Sequence, residues 1–169
     1  MTRHSKIVMS CGALIVAMVA GRSAAPSAGE PNAAVQGVWR TLEVVVPGAA
    51  GRTFKPTATL AIFHGRHYSR VEVHAEQPRP VLANPGAATA DQLREVWGPF
   101  VAEAGTFELS GSDMITMRAT VAKNPAAMRD GASSVYTYRR QGDTLTLTEV
   151  RTPAGPSAQP ITVTLTRVE

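Results

Sequence analysis

The fold of this chain is most constrained by eight short runs in which apolar and polar residues alternate, separated by turn residues. The runs are rich in Val and Thr, which favour strands. They cover residues 37–48, 57–63, 67–75, 106–111, 114–121, 133–140, 143–151 and 160–169. Several connections are very short, such as Gln141-Gly142, and short links join antiparallel neighbours. The chain is therefore expected to form an antiparallel sheet built from hairpins.

Alternation is clearest in residues 143–150 and 161–168, where one face is apolar and the other is mostly threonine. Such strands bury one face and leave the other in water. Closing the sheet removes its exposed edges, so we predict an all-β, eight-stranded antiparallel up-and-down barrel. A barrel of this size is filled by side chains or holds one small ligand. An outer-membrane barrel would need aromatic girdles, and the aromatic share here is only 5%.

Two segments break the strand pattern. Residues 89–105 have helical spacing of apolar residues, a capping box formed by Thr89 and Gln92, and a stop at Gly105, with a kink expected at Gly98-Pro99. This predicts a helical insert between the third and fourth strands. Residues 124–131 begin with Asn124 and Pro125, which suit a short helical turn.

The beginning of the chain has the layout of a secretory signal. A short basic stretch precedes the uncharged residues 7–21, and small residues follow. We assign residues 1–25 to a signal peptide, 26–34 to a flexible leader and 35–169 to the barrel. The apolar run is shorter than the roughly 20 residues needed to span a bilayer, so no stable membrane anchor is expected. The predicted location is periplasmic or secreted.

Removal of the signal peptide changes the charge and the cysteine content. Three of the 17 basic residues would be lost while all 13 acidic residues remain, which leaves a net charge of about +1. That charge gives no electrostatic reason to expect a nucleic-acid partner. Cys11, the only cysteine, would be removed too. The mature protein would then have no disulfide, and its core must supply its stability.

Several segments resemble one family. Gly37-Val38-Trp39 matches the Gly-x-Trp signature of lipocalins. Residues 62–69, 122–128 and 141–148, with the terminal LTRVE, are similar to an exported family of bacterial lipocalin-like domain proteins. The resemblance covers about residues 35–169. It implies a calycin-type barrel that binds a small apolar ligand in its mouth, and it implies that Arg167 packs across Trp39. We expect this pair to close one barrel end through a cation–π contact.

The stretch LAIFHGRHYSRVEVH (residues 60–74) contains three of the chain's four histidines. His67 and His74 are seven residues apart, so a regular strand puts them on opposite faces. No zinc-binding pattern accompanies them, and we predict neither a metal nor a cofactor. If Val71 and Val73 face the lumen, so do His67 and Ser69. By the same alternation Glu43 and Glu149 share the inner faces of their strands.

The predicted ligand-binding residues are therefore polar groups in a mostly apolar lumen: His67, Ser69, Glu43, Glu149, Tyr138 and Arg118. The preferred function is binding of a small, largely apolar or amphipathic molecule. One alternative is an isomerase or cyclase with His67 as acid or base. Another is an accessory protein that binds a partner through the barrel exterior or the 76–105 insert. No motif of common hydrolases or kinases is present, and the oligomeric state is not predicted.

Overall fold

The computed structural model describes residues 32–169, and the predicted signal peptide lies outside the described residues. The described chain forms a closed antiparallel barrel of eight strands with two short additional strands. Strands β1 Gly37–Val46, β2 Arg52–Phe54, β3 Ala58–His64, β4 His67–Val73 and β5 Phe100–Ser110 form the first half. The second half comprises β6 Met114–Ala122, β7 Ser134–Gln141, β8 Thr144–Thr152, β9 Gly155–Pro156 and β10 Thr162–Arg167.

Hydrogen-bonded neighbours follow the chain around the barrel, from β1 through β3 to β8, and β10 closes the barrel by pairing with both β8 and β1. Strand β2 pairs only with β1, and β9 pairs only with β8. The all-β barrel prediction is confirmed at this level. Among residues 32–169, no helix is long and apolar enough to cross a membrane.

The helix α1, Ala90–Trp97, lies between β4 and β5, so its predicted position between the third and fourth strands is wrong. The difference arises because the short strand β2 precedes β3. The capping box is present: the Thr89 side chain accepts from the Gln92 backbone, and the Gln92 side chain accepts from the Thr89 backbone. This arrangement satisfies two free N–H groups of the first turn.

The predicted helix is too long. The helix in the structure ends at Trp97, and residues 100–105 belong to β5, where they pair with β4. Pro99 has no backbone N–H and cannot continue a helix, so the chain leaves α1 and enters the sheet. The second segment forms a short 3₁₀ helix, Pro125–Met128, and the Asn124 side chain accepts from the Ala126 backbone.

One end of the barrel is filled with apolar side chains. Trp39 is fully buried, and its indole N–H donates to the Val35 carbonyl at 2.8 Å. Around it pack Phe63, Phe107, Ile115, Leu145 and Leu165. We call this region the plug end. The strands run from it to the opposite end, where β4 pairs Val73 with Phe100.

The predicted orientation of β4 is wrong over residues 67–72, although Val73 is buried. Tyr68 and Glu72 are buried and face the barrel interior with Arg70, whereas His67 is exposed and Val71 is 44% exposed. Val71 lies on the outer wall beside other exposed apolar residues, Leu60, Ile62 and Val121. We call these four side chains the outer apolar patch. Along β4 the outward-facing Val71 is apolar and the inward-facing Arg70 and Glu72 are charged, which reverses the usual alternation.

The predicted face of Glu43 is also wrong. The register of β1 against β10 shifts between Thr41 and Glu43, which is a β-bulge. Trp39 and Thr41 are buried before the bulge, and Val44 is buried after it, while Glu43 is only half-buried. A bulge moves the following side chains to the other face, so a regular alternation fails there.

A candidate ligand-binding cavity

A cavity of about 320 Å³ lies at the end of the barrel opposite the plug end. Its size falls at the small end of the range for ligand pockets. Strands β4, β5, β7 and β8 supply most of its wall, and the 3₁₀ helix Pro125–Met128 adds Ala127. The apolar wall residues are Phe100, Val101, Ala102, Ala127 and Pro153; the polar ones are Arg70, Glu103, Lys123, Asn124, Ser134, Tyr136, Glu149 and Thr152. We call this space the mouth cavity.

Arg70 and Glu103 form an ion pair on the cavity wall. They are opposite each other in the β4–β5 register, and Arg70 Nε lies 3.0 Å from Glu103 Oε1. The Nε–H is not directed at that oxygen, so the contact is an ion pair without a hydrogen bond from Nε. Burial alone would lower the pKa of Arg70, but the negative groups around it, including Glu103 and Glu72, outweigh burial and raise it. Arg70 therefore remains charged beside the cavity.

Tyr136 lies beside the same pair. Its side chain is buried, and burial is the main reason that its pKa is raised above the ordinary value of 10.0, although the charge of Arg70 acts in the opposite direction. Tyr68 behaves similarly: burial, followed by the charge of Glu103, raises its pKa. The Tyr68 hydroxyl donates to Glu103 Oε1 at 3.4 Å. Both phenols therefore stay neutral and can act as hydrogen-bond donors.

Glu149 occupies the wall next to Tyr136, its partner in the β7–β8 register. The Ser157 hydroxyl donates to Glu149 Oε2 at 2.6 Å, which orients the carboxylate. Within residues 32–169, no Lys, Arg or His nitrogen lies within ion-pair distance of Glu149. Glu149 is thus an acidic group of the cavity without a basic partner in the described chain.

Lys123 stands at the edge of the cavity and fixes the segment that follows α1. Its ammonium donates to the carbonyl of Phe100 at 2.8 Å, to that of Gly98 at 3.3 Å and to that of Trp97. The last carbonyls of a helix carry partial negative charge, so a cation is favourable there. In addition, the His74 backbone N–H donates to the Pro99 carbonyl at 2.9 Å. The entry to β5 is therefore tied to the cavity edge.

Glu72 and His74 form a second polar pair on β4. His74 Nε2 donates to Glu72 Oε2, and Glu72 is almost completely buried. Burial alone would raise the pKa of Glu72, but the His74 hydrogen bond and the charge of Arg70 outweigh burial and lower it. The His74 ring makes an edge contact with Phe54, with ring centroids 5.9 Å apart. Neither member of the pair lines the mouth cavity.

Of the residues predicted to contact a ligand, the structure places Glu149 on the cavity wall. His67 is exposed, and Ser69 lies in a shallow groove on the outer wall. Glu43 follows the bulge, and Tyr138 packs against the plug-end core. Arg118 is exposed and pairs with Glu108 at 2.9 Å. The predicted residues therefore do not form one cluster.

The structural pair Trp39 and Arg167 lies at the plug end. The Arg167 guanidinium carbon is 4.6 Å from the Trp39 ring centroid, and Arg140 approaches the same ring at 5.8 Å. Gly37 has a φ of 130°, and a Cβ atom at this position would lie only 2.3 Å from Arg167 Nη1. The glycine of the Gly-x-Trp motif thus leaves room for the arginine.

Sequence reasoning missed Arg70, Glu103 and Tyr136. A signal was present, because Tyr68, Arg70 and Glu72 alternate in β4 as regularly as the valines do. Only the pairing of β4 with β5 shows that Arg70 meets a carboxylate, and that pairing was hidden by the assignment of residues 100–105 to a helix.

No protein-family model and no curated protein matches this sequence. Among solved structures, the chain is similar to a redesigned β-barrel, with a TM-score of 0.42 and 13% sequence identity. The match covers 83% of this chain and 96% of that one.

Proposed function

We propose that this protein is an exported lipocalin-like barrel that binds a small amphipathic molecule in the mouth cavity. The observation that carries the proposal is the cavity itself, which combines an apolar wall with one group of polar side chains at an end of the barrel that the core leaves unfilled. Burial of an apolar ligand surface would supply the affinity, at about 25 cal/mol per Å². The polar group would orient the ligand.

The enzyme alternative assigned the acid or base role to His67, but His67 is exposed on the outer wall and cannot act inside the cavity. The pair of His74 and Glu72 is the arrangement expected of an acid–base site. Neither residue lines the mouth cavity, however, so a ligand there would not contact the pair. Binding is therefore the function that the geometry supports best.

The accessory-protein alternative would use the barrel exterior. The outer apolar patch is exposed, with Leu60 at 45% and Val121 at 62%. The four side chains that define it are all apolar and do not indicate the chemistry of a partner. The mouth cavity offers both apolar and polar contacts, so we place the function there.

The proposal is tested with the neutral fluorescent probe N-phenyl-1-naphthylamine, which brightens in apolar surroundings. Wild-type protein should bind it, and Ala127→Trp should weaken binding by about tenfold or more because the indole fills the cavity. Ala158→Trp, in an exposed loop, is the matched control and should bind as wild type does. Val101→Phe is a second cavity-filling variant if Ala127→Trp does not fold.

Equal binding by wild type and both folded cavity variants would show that the probe sits elsewhere and would overturn the proposal. The sequence-based expectation for His67 changes as well. His67→Ala should leave the affinity unaltered, since the side chain lies on the outer wall, whereas Glu149→Ala should reduce the affinity for a ligand that contacts it.

A further inference from the structure

The charges of the mouth cavity are not equally satisfied by the protein. Two basic side chains, Arg70 and Lys123, line it, and each already has internal partners. Arg70 pairs with Glu103 at 3.0 Å, and Lys123 donates to the backbone carbonyls of Trp97 and Gly98 at the end of α1 and of Phe100 in β5. The charge of Arg70 is therefore neutralised by Glu103, and the ammonium of Lys123 is held at the cavity edge by neutral backbone carbonyls.

The acidic side is different. Glu103 is paired with Arg70, but Glu149 has no basic partner among residues 32–169 and receives only the neutral hydroxyl of Ser157. One carboxylate oxygen is engaged by that hydroxyl, and Glu149 Oε1 has no hydrogen bond within the described chain. A half-buried carboxylate without a counter-charge is stabilised by a cation that enters the site.

Two aromatic residues also line the cavity. Tyr136 is directly opposite Glu149 in the strand register, whereas the ring of Phe100 already has the Arg79 guanidinium carbon 5.0 Å from its centroid. The faces of aromatic rings attract cations, and ammonium groups are favoured where a carboxylate and rings converge. Val101, Ala102 and Ala127 complete an apolar surface suited to a hydrocarbon body.

From these observations we infer that the ligand is a cationic amphiphile: an amine whose ammonium group pairs with Glu149 and whose apolar part occupies the mouth cavity. This inference rests on the proposed function and specifies the class of ligand. An anionic amphiphile would place its charge near Glu149 and Glu103, while the two basic groups are already engaged. It is therefore disfavoured by like-charge repulsion.

The test compares three probes with the same hydrocarbon chain, octylamine, 1-octanol and octanoate, by isothermal titration calorimetry. Octylamine should bind at least about tenfold more tightly than octanoate, because one well-placed ion pair in a partly buried site supplies that factor. Glu149→Gln should remove most of the preference for octylamine while 1-octanol binding stays unchanged. Glu76→Gln, an exposed carboxylate away from the cavity, is the control and should retain wild-type affinities.

The possible results distinguish a wrong ligand class from a wrong binding function. If octanoate or 1-octanol binds more tightly than octylamine, or if Glu149→Gln keeps the full preference, the ligand class is wrong and the binding function stands. If none of the three probes nor the neutral naphthylamine binds, the binding function fails and the inference fails with it. Glu149→Lys adds a positive test, since it should shift the preference from octylamine to octanoate.

Discussion

The guanidinium carbon of Arg167 lies 4.6 Å from the centroid of the Trp39 ring, across the β1–β10 register that closes the barrel. Arg167 Nη2 also donates to the Gln36 carbonyl at 2.6 Å, so the last strand is fastened to the residue before the first. Trp39 is fully buried and is surrounded by other side chains of the core. The pair fills the plug end of the barrel, so the mouth cavity lies at the end that remains open.

Replacing Trp39 should therefore cost folding stability. Trp39→Ala removes the largest side chain of the core and should lower the free energy of unfolding by about 3–5 kcal/mol. Arg167→Met should cost about 0.5–2 kcal/mol, the range of a cation–π contact. Urea denaturation measures both. Trp97→Ala is the matched control, because that indole is 50% exposed and should cost much less; a Trp39→Ala variant as stable as wild type would contradict the role of the pair.

Because of the Glu72–His74 pair, the free energy of unfolding should decrease at acidic pH. The pKa of Glu72 lies below its ordinary value of 4.5, so the ionised form is favoured by folding. The stabilisation is then fully present above about pH 4.5 and is lost as the pH falls through the lower, folded-state pKa. Wild type should exceed Glu72→Gln in urea midpoint at about pH 7, and the difference should shrink by about pH 3.5.

The control for this prediction is Glu76→Gln, since Glu76 is exposed. Its urea midpoint should follow that of wild type over the whole range. A difference between wild type and Glu72→Gln that is the same at both pH values would mean that Glu72 contributes only through its shape and hydrogen bonding, contrary to the lowered pKa.

The buried phenols should resist ionisation. The pKa values of Tyr68 and Tyr136 are raised, chiefly by burial, above 10.0. Unfolded tyrosines ionise near that value, so a raised folded-state pKa supplies stability that is present below about pH 10 and lost as the pH rises. In an alkaline titration followed by tyrosinate absorbance, Tyr68→Phe and Tyr136→Phe should each reduce the absorbance that appears only on unfolding. Loss of absorbance from the step near pH 10 instead would contradict their burial.

Lys123 should hold the segment after α1. Lys123→Met keeps a long apolar side chain and removes the donors to the Phe100 and Gly98 carbonyls. Amide hydrogen exchange of residues 90–100 should become about tenfold faster, because charge-assisted hydrogen bonds of about 1.5–3 kcal/mol are lost. Lys55→Met, at an exposed position, should leave that exchange unaltered, and equal protection in Lys123→Met would exclude this role.

Much of the fold could be predicted because the strands of the second half follow simple alternation. Leu145 and Leu147 are buried as the pattern in β8 indicates, and Glu149 continues that inner face to the cavity. The capping box at Thr89 was also readable, since it depends on two residues three apart. Local chemistry determined these features, so local sequence was enough.

The remainder depends on partners distant in sequence. In β4 both faces alternate regularly, and the polar face is inner because Arg70 pairs with Glu103 of β5, which also accepts from the Tyr68 hydroxyl. The bulge after Thr41 has no sequence signal that distinguishes it from a regular strand. The cavity could therefore not be assembled from the sequence, although Glu149 was identified.

The central claim, that a small molecule binds in the mouth cavity, is tested most directly by NMR with unlabelled octylamine and isotope-labelled protein. We predict intermolecular nuclear Overhauser effects from the octyl chain to the methyl groups of Val101 and Ala127, which line the cavity. Contacts confined to Leu60, Ile62 and Val71 of the outer apolar patch, with none to the cavity methyl groups, would contradict the claim.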